Sequence, residues 1–449
     1  MGKRLRPYHE PVDGLRRMRR LTRHAAFRRM VGVRLATQSG DAVIQIGMAS
    51  YVLLNPQSQA DAAAVAAVIA LVMMPMAVAG PFVGPILDRF ARTSTVRVSD
   101  LTRSVLAVVL AILVGTGRTS GGWQVLLAVV LVIVLSLNRL QLAGLGAGMP
   151  HTVDDDEYLD AAAVMPMLGP VTMLVAGGSA AGLRLGAGRL GLPPGPSDVL
   201  VFGIAAGLFC TGVWILRGFT RTALGPTTRR VSSITSVFTG LRQAFAELVA
   251  ARPALNGVLL VFASRAGYGL LMTMIVVLYR HHFPSDGVET SVLSMGVWFA
   301  ATGAGFATSG LVAAPLSART GLCRMMMIAL GTAALAQIIA GATLVPVVMI
   351  VCGLVVGLCL QSIKIAADTL VQAHISDEAR GRVTLMHDII NNCGYVTGAV
   401  IAALVLPPDG FSVPAGVGLG VWFALLAAWF WAVSRGTTEA YDVGTVNAH

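Results

Sequence analysis

Lysine is nearly missing from this chain: of 33 basic residues only Lys3 and Lys364 are lysines, and charged residues of every kind make up just 12% of the 449. Soluble domains carry about 25% charged residues, so this composition does not furnish an ordinary water-facing surface. Other absences narrow the function. No G-x-x-x-x-G-K-S/T stretch occurs, which excludes an ATP-driven motor within the chain. Cysteine is scarce, and none of Cys210, Cys323, Cys352, Cys359 and Cys393 forms a close pair with metal-ligand spacing. They read as small packing residues rather than a disulfide or metal framework. The polar–apolar alternation over about ten residues that marks a spanning strand is also lacking.

What fills the chain is apolar: 55% of residues are hydrophobic and the mean hydropathy is +0.74. These residues fall into twelve blocks, roughly 31–54, 62–87, 98–117, 123–148, 160–186, 197–217, 254–279, 289–314, 324–343, 345–372, 382–406 and 413–434. Each is about 20 residues or longer, the length of a helix that crosses a bilayer. The expected fold is all-α and polytopic, with twelve transmembrane helices.

The net charge of +11 invites a nucleic-acid partner, and the placement of Lys and Arg rejects one. With the N-terminus in the cytoplasm, 24 basic residues fall on cytoplasmic segments, ten of them within 1–30. The opposite side carries three, Arg118, Arg189 and Arg280, and six lie inside spans. This asymmetry sets both termini in the cytoplasm. The dominance of Arg, Ala, Val and Gly points to a high-GC bacterial source, hence a bacterial inner membrane. The Arg-rich leader is expected to hold topology and touch anionic lipid. It has no apolar core or cleavage site and does not read as a removable signal peptide.

The longest polar interruption, 218–252, divides the chain into six-span halves, 31–217 and 253–434, flanked by the basic segment 1–30 and a cytoplasmic tail, 435–449. Within it, Ile234 to Ala251 has the pattern of an amphipathic helix lying along the membrane surface. The halves look like repeats. Met149-Pro150-His151-Thr152-Val153-Asp154-Asp155-Asp156-Glu157 follows span four, and Gln372-Ala373-His374-Ile375-Ser376-Asp377-Glu378 follows span ten.

Between spans two and three the chain reads Gly84-Pro85-Ile86-Leu87-Asp88-Arg89-Phe90-Ala91-Arg92. This resembles the loop between helices 2 and 3 of the major facilitator superfamily, G-x-x-x-D-R/K-x-G-R-R/K, with Ala91 in place of the second glycine. Gly40-Asp41 in span one, Asn138-Arg139 followed by Pro150, and Ile375-Ser376-Asp377-Glu378-Ala379-Arg380-Gly381-Arg382-Val383 resemble segments of its drug-exporter and enterobactin-exporter branch. Leu140 to Gly144 departs from that branch. The second copy of the hairpin, Pro315 to Gly321, has Ala318 where an acid belongs. Gly169-Pro170 and Gly177-Gly178 only loosely match the family's antiporter motif.

The resemblance implies parallel six-helix repeats about an axis normal to the membrane. It also implies a monomer that carries a small-molecule substrate by alternating access, needing no cofactor beyond a proton gradient. Export of small amphipathic molecules is the expectation; import or facilitated movement of a metabolite or lipid is the alternative. Two remoter readings are a non-transporting scaffold and a membrane prenyltransferase. The latter rests on Asp156-Glu157-Tyr158-Leu159-Asp160, an approximate D-D-x-x-D whose counterpart in the second half has Arg380 and Arg382 where acids are needed.

Ionisable groups at bilayer depth usually face a cavity or one another. Asp41 lies about ten residues into span one, so ~15 Å deep, where a carboxylate suits proton binding and release. Arg265 sits at the equivalent depth of span seven, which places the two charges across the central cavity from each other. A bridge made in one state and broken in the other would couple protonation to rocking of the halves; a permanent ion pair explains the same residues. Arg139, Lys364 and Asp388 are further deep charges. Lys364 and Asp368 are four apart on one helical face and form a natural local pair. Arg139 has no acid at helical spacing and is a candidate for an anionic substrate group or the proton path. Gln45, Gln141, Tyr268, Asn391 and Asn392 are candidates for neutral hydrogen bonds in the cavity, or for helix packing. By resemblance, Gly84, Asp88, Arg89 and Arg92 form a gate in which Asp88 engages the opposite half, with Gly80 and Gly84 permitting close helix approach.

Overall fold

The computed structural model describes residues 20–54, 62–116, 122–154, 157–190, 194–225, 234–283, 288–436 and 438–441. Of the basic segment 1–30, for which a lipid contact is expected, residues 1–19 lie outside the described residues. The described chain is helical throughout, without a strand. Six long helices come first: α1 (Ala25–Leu54), α2 (Ala62–Arg89), α3 (Arg92–Gly115), α4 (Gly122–Gly148), α5 (Tyr158–Arg189) and α6 (Pro194–Leu216). A short helix, α7 (Ile234–Ala250), precedes α8 (Arg252–His281), α9 (Val288–Thr320), α10 (Leu322–Thr343), α11 (Pro346–His374), α12 (Asp377–Val405) and α13 (Val413–Ser434). The tail adds α14 (Thr438–Tyr441).

The long helices coincide with the apolar runs. Among the described residues, nine of them are long and apolar enough to cross a membrane. Local chemistry sets their ends. Proline opens α8, α11 and α13, where the missing N–H is not needed. The Ser412 hydroxyl accepts from the Ala415 amide at 3.2 Å and caps α13. Gly321, with φ of 82°, turns the chain between α9 and α10 in a conformation that a side chain would strain.

Packing repeats between the halves. In the first, α1 packs on α5 and α6, α2 on α4, and α3 on α4 and α6; in the second, α8 packs on α12 and α13, α9 on α11, and α10 on α11 and α13. The main packing pairs of the first bundle thus recur between the corresponding helices of the second, as two pseudo-symmetric bundles require. The halves meet mainly through α2 and α12. A methyl added at Gly80 would lie 3.0 Å from Leu385 Cδ1, so this glycine does permit close approach. Gly84 does not: nothing lies within 4 Å of its would-be Cβ.

The linker helix α7 departs from expectation. Its apolar residues Ala244 and Leu248 are buried against Ala254, Val258, Val371, Ile375, Ala379 and Val383 of the second bundle. An apolar face covered by protein is not one lying on lipid. Glu247 Oε1 accepts the Ser376 amide at 2.6 Å and so caps the N-terminus of α12, where a carboxylate is favoured.

Candidate functional site

At the end of the first bundle that carries the α2–α3 turn, arginines reach exposed helix carbonyls. Arg92 Nη1 donates to Ala147 O at 2.7 Å at the end of α4, and the Arg92 amide donates to Gly225 O at 3.0 Å. Arg97 Nη2 donates to Leu216 O at 3.0 Å at the end of α6. Arg29 Nη1 donates to Gly218 O at 2.5 Å. Cations there complement the negative helix ends. The hairpin arginines thus clip together one half. Arg89 is exposed, and among the described residues Asp88 forms no ion pair with either half. Nearby, His24 Nε2 lies 2.7 Å from Glu157 Oε2 and 3.9 Å from Asp154 Oδ2. These three side chains could ligate a metal, but Arg20 Nε, 3.9 Å from Glu157 Oε1, already supplies positive charge.

Asp41 meets a partner other than the expected one. Thr37, Asp41 and Ile44 form a buried stripe on α1, spaced as one helical face, and the stripe turns toward α3 and α6. Asp41 Oδ1 accepts a hydrogen bond from Arg103 Nη2 of α3, and Arg103 Nη1 lies 3.2 Å from Asp100 Oδ1. The guanidinium sits 4.1 Å from the centroid of Phe209 on α6. Gly40 explains the room for that ring, since a methyl there would fall 2.6 Å from Phe209 Cε1. All three charged side chains are at most 5% exposed. The Asp41–Arg265 pair does not form: equal depth in two helices leaves their rotation free, and the α1 stripe faces into its own bundle. Gln141, fully buried on α4, donates to Thr37 Oγ1 at 2.7 Å beside this cluster. Arg139 is exposed and makes no direct contact with an acid among the described residues; Gln45 is half-buried.

The second bundle brings several expected residues together. Lys364 Nζ lies 2.9 Å from Asp368 Oδ2 on α11 and 3.3 Å from Asp388 Oδ1 on α12. His387 Nδ1 lies 3.0 Å from Asp368 Oδ1. His387 is fully buried and its Nε2 has no hydrogen-bond partner among the described residues. Lys364, Asp368 and Asp388 are 18%, 32% and 35% exposed, whereas the Asp41 cluster is sealed. Three residues deeper on each helix, Gln361 and Asn391 hold Arg265. Its Nε donates to Asn391 Oδ1 at 3.0 Å and its Nη2 to Gln361 Oε1 at 2.8 Å. Gly394 makes this possible, because a methyl there would come 2.8 Å from Arg265 Cβ. Tyr268 stands beside Tyr395 and Phe306, at 5.7 and 5.5 Å between ring centroids. Asn392 turns back on its own helix, donating to Asp388 O at 2.9 Å.

The profile of the Major Facilitator Superfamily matches residues 257–445. A protein of Mycobacterium tuberculosis described as an uncharacterised MFS-type transporter is 31% identical over 406 residues, covering 89% of this chain and 88% of its own. The chain belongs to the major facilitator superfamily. An MFS-type transporter of Mycobacterium bovis matches to the same extent, 31% over 406 residues. The fold is that of solved superfamily transporters. The nucleoside transporter NupG superposes with a TM-score of 0.64 at 14% identity, covering 91% of this chain and 98% of NupG. A bacterial homologue of the lysosomal transporter Spinster, inward-facing, gives 0.63 at 14% identity, covering 96% and 99%. A bacterial homologue of the iron transporter ferroportin, outward-facing, gives 0.59 at 16%, covering 90% and 98%.

Membership of the superfamily makes the protein a multi-pass transporter of small molecules rather than an enzyme, which disposes of the prenyltransferase reading. Of that acidic motif, Asp156 lies outside the described residues and Glu157 is engaged by His24. Among the side chains around these charges, Asp100, Arg103, Phe209, Gln361, His387, Phe306 and Tyr395 escaped the sequence reading. Asp100 and Arg103 are three apart, an i,i+3 pair visible in the sequence, but they sit near the start of span three, where charge is ordinary. His387 adjoins Asp388, and the i,i+4 spacing of His387 and Asn391 was the available signal.

Proposed function

We propose that this superfamily transporter is a proton-coupled exporter of small amphipathic molecules, working by alternating access in a bacterial inner membrane with both termini in the cytoplasm. The observation that carries the reading is the α11–α12 network of Lys364, Asp368, Asp388 and His387. Two carboxylates face one ammonium and one imidazole, so the cluster is neutral only when it holds one more proton. Charge in a membrane interior is costly unless balanced, and a group that is balanced only when protonated is suited to carry a proton between the two sides. The cluster joins α11 to α12, and α12 is the helix of the second half that packs most on the first. Protonation there can bias the packing that alternating access must remake. Asp41, Asp100 and Arg103 are also acid-rich by one charge, but their burial inside one bundle suits a fixed structural cluster better than a site that exchanges protons. Export is supported by the likeness of Ile375–Val383 to the exporter branch; Asp88, Arg89 and Arg92 retain the proposed gating role.

The test is gradient-driven accumulation of a panel of cationic, neutral and anionic dyes in inverted membrane vesicles. Wild type should accumulate at least one dye when the lumen is acidic, Asp388→Asn should not, and Asp41→Asn should retain uptake in proportion to the protein that folds. Accumulation confined to right-side-out vesicles would replace export by import, and undiminished uptake by Asp388→Asn would remove the network from the coupling path.

A further inference from the structure

The Arg265 guanidinium is 2% exposed and deep in the second bundle, yet its charge is not answered by any carboxylate among the described residues. Two of its nitrogens donate to neutral carbonyl oxygens, Nε to Asn391 and Nη2 to Gln361. The third, Nη1, is buried without an acceptor among the described residues. A guanidinium carries five N–H donors, and a buried cation with an unmet donor and no counter-charge is held at a cost that an anion would remove. The setting is built rather than accidental. Phe306 of α9 and Tyr395 of α12 place their ring centroids 5.1 and 5.4 Å from the guanidinium carbon. Tyr268 edges onto both rings and stacks on Trp298 at 6.3 Å. These contacts fix the orientation of the guanidinium and leave its Nη1 edge without an acceptor, beside aromatic rings that suit a flat apolar body.

We infer that Arg265 is the substrate-binding cation of this transporter, and that the substrate class is a small organic acid whose carboxylate meets Nη1 and whose apolar body lies against Phe306, Tyr395 and Tyr268. The inference rests on the transporter reading above and names the ligand carried. Nη1 is enclosed in this conformation, so the ligand enters from the conformation that opens the cavity. Arg139, the other cation considered for an anionic group, has no such fixed frame: it is exposed and makes no hydrogen bond among the described residues.

The experiment is ligand-dependent thermal stabilisation of the purified full chain in detergent, which needs neither a gradient nor transport. Benzoate, salicylate and naphthoate are each compared with the corresponding amide, which keeps the body and removes the charge. In wild type at least one carboxylate should raise the unfolding temperature by a few degrees more than its amide. The difference should vanish in Arg265→Gln and survive in Arg139→Gln. Arg265→Lys, which keeps the charge and serves if the Gln variant does not fold, should weaken binding by about tenfold, because an ammonium lacks the planar fork that holds Asn391, Gln361 and a ligand together. Equal shifts by acid and amide in every pair would overturn the proposal, as would a carboxylate effect that persists in Arg265→Gln or is lost only in Arg139→Gln. Binding without proton-driven uptake would sink the coupling reading alone, and uptake without acid-selective binding would sink this one alone.

Discussion

Replacing Arg103 by Gln should destabilise the protein far more than replacing either acid that it contacts. Asp41 and Asp100 share this one guanidinium, and all three side chains are 5% exposed or less. Removing one partner of a buried pair costs about 3–5 kcal/mol, because the other charge stays buried and unpaired. Arg103→Gln strands two carboxylates at once and also removes the cation over Phe209, 4.1 Å away, an interaction worth ~1–2 kcal/mol when desolvated. Asp100→Asn instead leaves Asp41 and Arg103 as a matched pair. The Asn amide can still accept from Arg103, so the expected cost is only about 1–1.5 kcal/mol, that of an ordinary hydrogen bond. The triple change Arg103→Gln, Asp41→Asn and Asp100→Asn removes every charge and should recover much of the loss, since neutral side chains carry no ionic desolvation cost. The assay is the fraction of monodisperse protein surviving a temperature ramp in detergent. The reasoning is refuted if Asp100→Asn is as damaging as Arg103→Gln, or if the triple variant is worse than Arg103→Gln alone.

Four further outcomes follow from the packing. Gly398→Ala should destabilise by ~1–3 kcal/mol through overpacking, because the new methyl would enter the Ala266 carbonyl of α8; a thermal ramp showing no loss would contradict this. Glu247→Ala should cost about 0.5–2 kcal/mol by uncapping α12 at Ser376, and Glu247→Gln, which still offers an acceptor, should recover part of it in the same assay. Arg184→Gln should cost on the order of 3 kcal/mol by removing the buried guanidinium 2.7 Å from the Asp198 carboxylate. His282→Ala, whose pairing with Asp409 at 3.6 Å is half-exposed, should change stability by no more than about 1 kcal/mol; equal effects from these two would refute the burial argument.

The all-helical, membrane-spanning character of the chain could be read from hydropathy because a bilayer demands long unbroken apolar runs, and the internal repeat was visible in the segments around Pro150 and Ser376. Lys364 with Asp368 was also legible, since both lie on one helix at a spacing that fixes their separation. Contacts between helices were not. Depth along an axis follows from counting residues, but the rotation of α1 that turns Asp41 toward Arg103 depends on which face packs, and Gly40 and Phe209 decide that only once α6 is in place. The linker helix misled for a related reason: Ala244 and Leu248 mark an apolar face, and amphipathicity alone does not distinguish lipid from the ends of α8, α11 and α12 as its partner. His387 was passed over because a single histidine in an apolar run is ordinary until Asp368 is found beside it.

The most direct measurement separates coupling from carriage at the α11–α12 network. In vesicles reporting lumenal pH, addition of an accumulated dye should release protons through wild type. Asp388→Asn should release none while still exchanging labelled for unlabelled dye without a gradient. Proton release by Asp388→Asn equal to that of wild type would contradict the claim that this cluster carries the coupling proton.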